Sequence, residues 1–126
     1  MTCFWDAILS SMSSDDFTLL GLNDHRRENF IGKLKELNKQ PNTLWNDTKL
    51  RTQEKLEHEE AVKCYNTFGI YNGHLTSICD SFLLLISDLL SVNITHMYRN
   101  HLITYKCQSP RKTLTFKSNT HHFCTG

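Results

Sequence analysis

Five cysteines and seven histidines are the side chains best equipped for covalent chemistry in this sequence, and their surroundings set one cysteine apart. After Cys3, Phe4, Ala7, Ile8 and Met12 recur at helical spacing, and Ser10 to Ser14 followed by two aspartates breaks the pattern. Cys3 therefore falls at a predicted helix N-terminus. There the unpaired N–H groups and the partial positive charge of the first turn lower a thiol pKa from about 8.5 to roughly 3.5–7.5 when an imidazolium also helps. A nucleophilic cysteine needs that thiolate, access to substrate, and a base brought near by the fold. Cys64, Cys79 and Cys107 fall inside predicted helices or strands, where cysteine behaves as a small buried hydrophobe. Cys124 alternates with His122 on one face of a predicted strand.

The elements that must position these groups change texture along the chain. Asn23 or Asp24 caps a second predicted helix whose apolar face carries Phe30, Ile31, Leu34 and Leu37, and Pro41 with Asn42 stops it. Its other face holds Arg26, Arg27, Lys33, Lys35 and Lys39, the pattern of a solvated helix surface. From Asp47 to about Thr67, apolar residues interleave with charges as in an exposed amphipathic helix. Phe68 to Gly73 reads as an aromatic, glycine-containing loop. A helix from about Leu75 to Leu90 follows, apolar nearly all round and so predicted to be central. Beyond Ser91, Val92–Tyr98, Leu102–Cys107, Thr113–Lys117 and His122–Cys124 read as strands, with Arg99-Asn100 and Ser109-Pro110 as turns. Helices first and strands afterwards predict an α+β fold, with N-terminal helices packed on a small C-terminal antiparallel sheet.

Composition narrows the field further. A chain of 126 residues is the size of one domain, so residues 1–126 are expected to share a single core and a single site. A net charge of +1 provides no electrostatic footprint for nucleic acid. The longest apolar run, Phe82-Leu83-Leu84-Leu85-Ile86, falls well short of the roughly 20 residues that span a bilayer. An odd number of widely spaced cysteines, with no C-x-x-C pair, suggests no disulfide framework, and His121-His122 matches no metal-ligand spacing. A reducing compartment, the cytoplasm, and a monomer without cofactor or metal are expected.

Thr2-Cys3-Phe4-Trp5-Asp6-Ala7-Ile8 resembles the catalytic-cysteine signature of the ovarian-tumour (OTU) class of cysteine proteases: a cysteine, two bulky residues, a variable position, then Ala and an aliphatic. Three further segments resemble that family in the same order. They are the loop Tyr71-Asn72-Gly73-His74-Leu75, the passage Leu89 to Tyr98 from the central helix into the first long strand, and the closing strands with Ser118-Asn119-Thr120-His121-His122-Phe123. Together they span nearly the whole chain; the helical region from about Asp15 to Thr67 carries no resemblance.

The resemblance implies a papain-like OTU fold and assigns roles. Cys3 is the nucleophile, and His122 is the base because it directly precedes an aromatic residue, with His121 as its alternate. Neighbouring residues on a strand face opposite ways, so one of the two histidines would serve. Trp5, Asn72, Gly73, His74 and Phe123 would line the substrate cleft. The third member of a triad does not stand where many family members have it; Asn119 is a stand-in, and a Cys3–His122 dyad is the simpler reading. The shortage of residues around both catalytic positions suggests a domain cut from a longer protein, such as a viral polyprotein or a bacterial effector acting in a host cytoplasm. The implied partner is ubiquitin or a ubiquitin-like protein, or the chain's own polyprotein. The alternative is a catalytically inactive OTU-like module that binds ubiquitin or another protein.

Overall fold

The computed structural model describes residues 3–66, 76–119 and 122–126, with the side chains of Cys3 and of residues 76–78 not among them. Among the described residues, five helices and five strands follow one another as α1 (Cys3–Ser11), α2 (Ser14–Leu20), α3 (Arg27–Glu36), β1 (Leu44–Trp45), α4 (Thr52–Cys64), α5 (Thr76–Leu90), β2 (Val92–Tyr98), β3 (His101–Lys106), β4 (Lys112–Ser118) and β5 (Phe123–Thr125). The α+β class is as the sequence predicts. No helix among the described residues is long and apolar enough to cross a membrane.

The central helix explains the rest. On α5, Phe82, Leu83, Leu84, Leu85, Ile86 and Leu90 are all buried, because the helices pack on one side of it and β2 and β3 on the other. Each fully buried side chain of this size contributes roughly 1.5–3 kcal/mol. Polar groups buried with them have partners: Ser87 Oγ donates to the Val92 carbonyl at 2.6 Å, Thr43 Oγ1 to the Leu84 carbonyl at 3.1 Å, and Ser81 Oγ lies 2.8 Å from His58 Nδ1.

Two elements escape the sequence pattern. The first helix ends at Ser11 as expected, but Asp15 and Asp16 then lie in the first turn of α2, which the sequence pattern does not predict. Acidic residues suit a helix N-terminus, and the Asp16 carboxylate accepts the Ser13 backbone N–H at 2.8 Å. Gly21 closes α2 at φ +73°, a left-handed conformation that any Cβ disfavours, while the Leu22 N–H returns to the Phe17 carbonyl at 2.9 Å. Nothing lies within 4 Å of where a Gly21 Cβ would stand. Gly21→Ala is therefore expected to cost about 1 kcal/mol through backbone conformation alone, read as a lower denaturant midpoint at unchanged m-value. The second missed element is β1, two residues long. Leu37, expected on the buried face of α3, is 38 % exposed, because the helix ends at Glu36.

Much of the basic row that begins at Arg26 and runs past the end of α3 is engaged rather than free. Arg27 Nε lies 2.8 Å from Asp6 Oδ1 on α1, Lys39 Nζ 3.7 Å from Asp88 on α5, and Lys35 Nζ donates to the Tyr65 carbonyl.

The sheet has the order β1-β3-β2-β4-β5 and is mixed, which corrects the antiparallel expectation. β2 and β3 form the predicted hairpin through Arg99-Asn100, and β5 runs antiparallel to β4, but β4 lies parallel to β2 with Ile94 opposite Leu114. The reason lies in which edges are open. The outer edge of β3 is taken by β1, with Leu44 opposite Lys106, so the chain leaving β3 passes round the start of β2 and joins its free edge. The crossing is pinned by Arg111, whose N–H donates to the Ser91 carbonyl at 2.7 Å and whose Nε donates to the Leu90 carbonyl at 2.9 Å.

Candidate active site

Of the two catalytic positions expected from sequence, Cys3 is the first residue of α1 and His122 directly precedes β5 rather than starting the strand as expected; α1 packs on β5. The contact is aromatic: the rings of Phe4 and Phe123 meet edge to face, 4.9 Å between centroids and 69° between planes. These are the residues that directly follow Cys3 and His122. His122 itself is exposed, immediately before β5.

His122 is paired with Asn119, whose N–H donates to the His122 carbonyl at 2.9 Å while its Oδ1 accepts the His122 N–H at 2.9 Å. The Asn119 side-chain oxygen thus holds the main chain that carries the histidine. Alongside runs an open groove of about 340 Å³, with Asp6, Ala7 and Ser10 of α1 on one wall and His122, Phe123 and Cys124 on the other. Asp6 and Ser10, spaced one helical turn apart, were not singled out by sequence; their only signal is that Asp6 stands three residues beyond Cys3, on the first turn of α1.

Phe123, expected in the cleft, forms part of the groove wall while its ring is almost wholly buried. Trp5, also expected there, belongs to the core. It is 3 % exposed, meets Phe82 edge to face at 4.8 Å, and donates from Nε1 to the Tyr65 hydroxyl at 3.1 Å. The helix turns Trp5 inward because Phe4 and Trp5 share the face that α5 and β5 cover. Asn72, Gly73, His74 and His121 lie outside the described residues.

Other thiols and imidazoles have environments of a different kind. Hydrogen bonding to Glu60 raises the Cys64 thiol above its ordinary range, burial raises that of Cys107, and Cys79 is buried in the core. None of these environments favours a thiolate. His58 is half-buried, with Nδ1 2.8 Å from Ser81 Oγ, and burial lowers its pKa despite the partial opposition of Glu54 and Glu57. His25 stacks on Phe17 at 4.1 Å, and His101 is exposed at the start of β3. His96 is 2 % exposed on β2, packed against Phe123.

A second polar cluster lies at the sheet's other end. The Asp16 carboxylate, fully buried, meets Arg111 Nη2 and Lys112 Nζ, each at 2.6 Å. Burial by itself would raise its pKa, but the bonds from Lys112, the Ser13 N–H and Arg111 outweigh that and hold it at about 2.

Comparison with family models finds no match for this chain, and searches among curated proteins and solved structures find none.

Proposed function

We propose that the chain is a compact, viral-type OTU cysteine protease domain with a papain-like fold, which hydrolyses the isopeptide or peptide bond at the C-terminus of ubiquitin or a ubiquitin-like protein. The observation that carries this reading is the packing of α1, which Cys3 opens, on β5, which the exposed His122 directly precedes; the two elements come from opposite ends of the chain. In the proposed reaction His122 takes the Cys3 proton, and the thiolate attacks the scissile carbonyl carbon. The tetrahedral intermediate collapses to a thioester as the protonated amine leaves, and water activated by the same imidazole releases the carboxylate and restores the thiol. The extended C-terminal tail of the substrate would approach along the groove between α1 and β5. A polyprotein bond could be cut by the same steps, and action as a monomer in a reducing cytoplasm suits an enzyme that depends on a free thiol.

The assay that tests this is hydrolysis of a fluorogenic ubiquitin C-terminal amide. His122→Ala is expected to reduce kcat/KM by about 10²–10⁴-fold, the usual contribution of a general acid–base group. His121→Ala is expected to stay within about threefold of wild type, since a single histidine serves as base in the proposed dyad. Equal losses from both changes would remove the assignment to His122.

A second reading is favoured by one specific observation. The Asn119 side-chain oxygen is bonded to the His122 main chain, so the residue expected to stand in for a third catalytic member has that oxygen engaged elsewhere. An OTU-like module that binds ubiquitin without cleaving it fits this arrangement, and would show ubiquitin binding unaffected by Cys3→Ala with no hydrolysis from the wild type.

A further inference from the structure

We infer that His96 is a positioning residue for the proposed Cys3–His122 chemistry, clasping both the end of β4, whose next residue Asn119 is paired with His122, and the aromatic contact that ties β5 to α1. The inference rests on the protease reading above.

His96 lies on the central strand β2, 2 % exposed, among residues that otherwise form the apolar core. Its Nε2 is 2.6 Å from Ser118 Oγ, at the last residue of β4, immediately before the Asn119 that is paired with His122. Its ring lies 4.9 Å from that of Phe123, at 48°, the residue directly after His122. Ser118 is held a second time through its carbonyl, which accepts the Arg99 N–H at 2.9 Å. One buried imidazole therefore touches the residue before Asn119 and the residue after His122. Phe123 in turn packs on Phe4, next to Cys3, so the contacts run from His96 to the neighbours of both proposed catalytic residues.

A polar ring in this place is costly unless its bonds are kept, and an aliphatic or aromatic residue would fill the same space without that cost. What the imidazole adds is direction. Its bond to Ser118 fixes the end of β4, and Asn119 passes that constraint to the His122 main chain. Displacement of a catalytic group by about 1 Å can cost on the order of 10²-fold in rate, so a bond of this kind bears on turnover more than on substrate affinity.

The test uses the full chain and ubiquitin carrying a C-terminal electrophile, with the maximal capture rate and the half-saturating concentration measured separately, together with NMR of the His122 amide and imidazole. Ser118→Ala is expected to lower the maximal rate about tenfold, with half-saturation within about twofold, and to move the His122 resonances. His96→Gln, whose amide reaches the place of Nε2, is expected to remain within about threefold of wild type, and His96→Phe to fall with Ser118→Ala. A wild-type capture rate and unmoved His122 resonances in Ser118→Ala would overturn the inference, as would a His96→Gln variant as slow as His96→Phe. If the wild type captures no ubiquitin, the protease reading fails, and the resonances still decide the clasp: moved in Ser118→Ala they support it, unmoved they overturn it.

Discussion

Incubated with ubiquitin bearing a C-terminal electrophile, the chain is expected to gain one ubiquitin in intact mass, and Cys3→Ala to gain none. The size of the effect follows from the number of thiols able to react. A cysteine at a helix N-terminus is stabilised as thiolate by the first-turn N–H groups, and attack on an electrophile proceeds through the thiolate. Among the other described cysteines, Cys79 is buried, Cys107 is pushed toward the protonated form by burial, and Cys64 by its bond to Glu60. Cys124 stands on the wall of the same groove, so Cys124→Ala is the control, expected to keep capture within about threefold because a wall residue contributes packing rather than the nucleophile. Removal of Cys3 should lower capture by about 10³-fold or more, as loss of the nucleophile does in serine hydrolases. An adduct that persists in Cys3→Ala and disappears in Cys124→Ala would transfer the nucleophile to β5, and no adduct from a folded wild type would leave the binding module as the better reading.

Asp16→Asn is expected to destabilise the protein by about 3 kcal/mol, a large share of the roughly 5–15 kcal/mol by which domains of this size are stable. The Asp16 side chain is fully buried and meets two cations that are about a third exposed, at 34 % for Arg111 and 31 % for Lys112. Once the carboxylate is gone, both cations can regain part of their hydration, so the cost should sit at the low end of what breaking a buried ion pair entails. The site matters because Arg111 also pins the passage of the chain round β2, so the cluster ties α2 to the start of the parallel strand β4. Asparagine retains an acceptor for the Ser13 N–H, so the variant removes the charge and leaves the helix start intact.

The same residue predicts an acid dependence. Its pKa is about 2 in the folded protein against 3.8 unperturbed, so the unfolded chain takes up the proton first as pH falls. The stabilisation is therefore fully present above about pH 5 and is lost progressively as pH falls toward 2, amounting to about 2 kcal/mol. Urea unfolding between pH 7 and pH 2.5 should show a steeper acid loss in the wild type than in Asp16→Asn. Identical acid limbs with equal midpoints at neutral pH would show that the cluster contributes nothing to stability.

Much of the secondary structure is legible in the residues because the pattern there is local. Phe82 to Leu90 could only be central, since a helix apolar nearly all round has no face to give to water. The three long strands are predicted within a residue or two by alternation, because period-two burial writes itself directly into sequence. α2 is hidden because it is short, shows few apolar residues inward, and begins with aspartates that read as breakers when their role as first-turn acids is unknown. β1 is two residues long and has no period to display.

Of the candidate site, the position of Cys3 at a helix start was determined by its neighbours Phe4, Ala7 and Ile8, whose spacing depends only on the helix repeat. The sequence by itself also determined the α+β class and the central helix. Tertiary structure alone decided that β4 lies parallel to β2, since that depends on which strand edge β1 had already occupied, and that Trp5 turns into the core while Asp6 and Ser10 face the groove. It also decided that His96 sits against Ser118 and Phe123, on either side of the Asn119–His122 pairing. These relations join residues far apart in the chain, and their energies come from packing and hydrogen bonds made only when the sheet is assembled, so no local pattern records them.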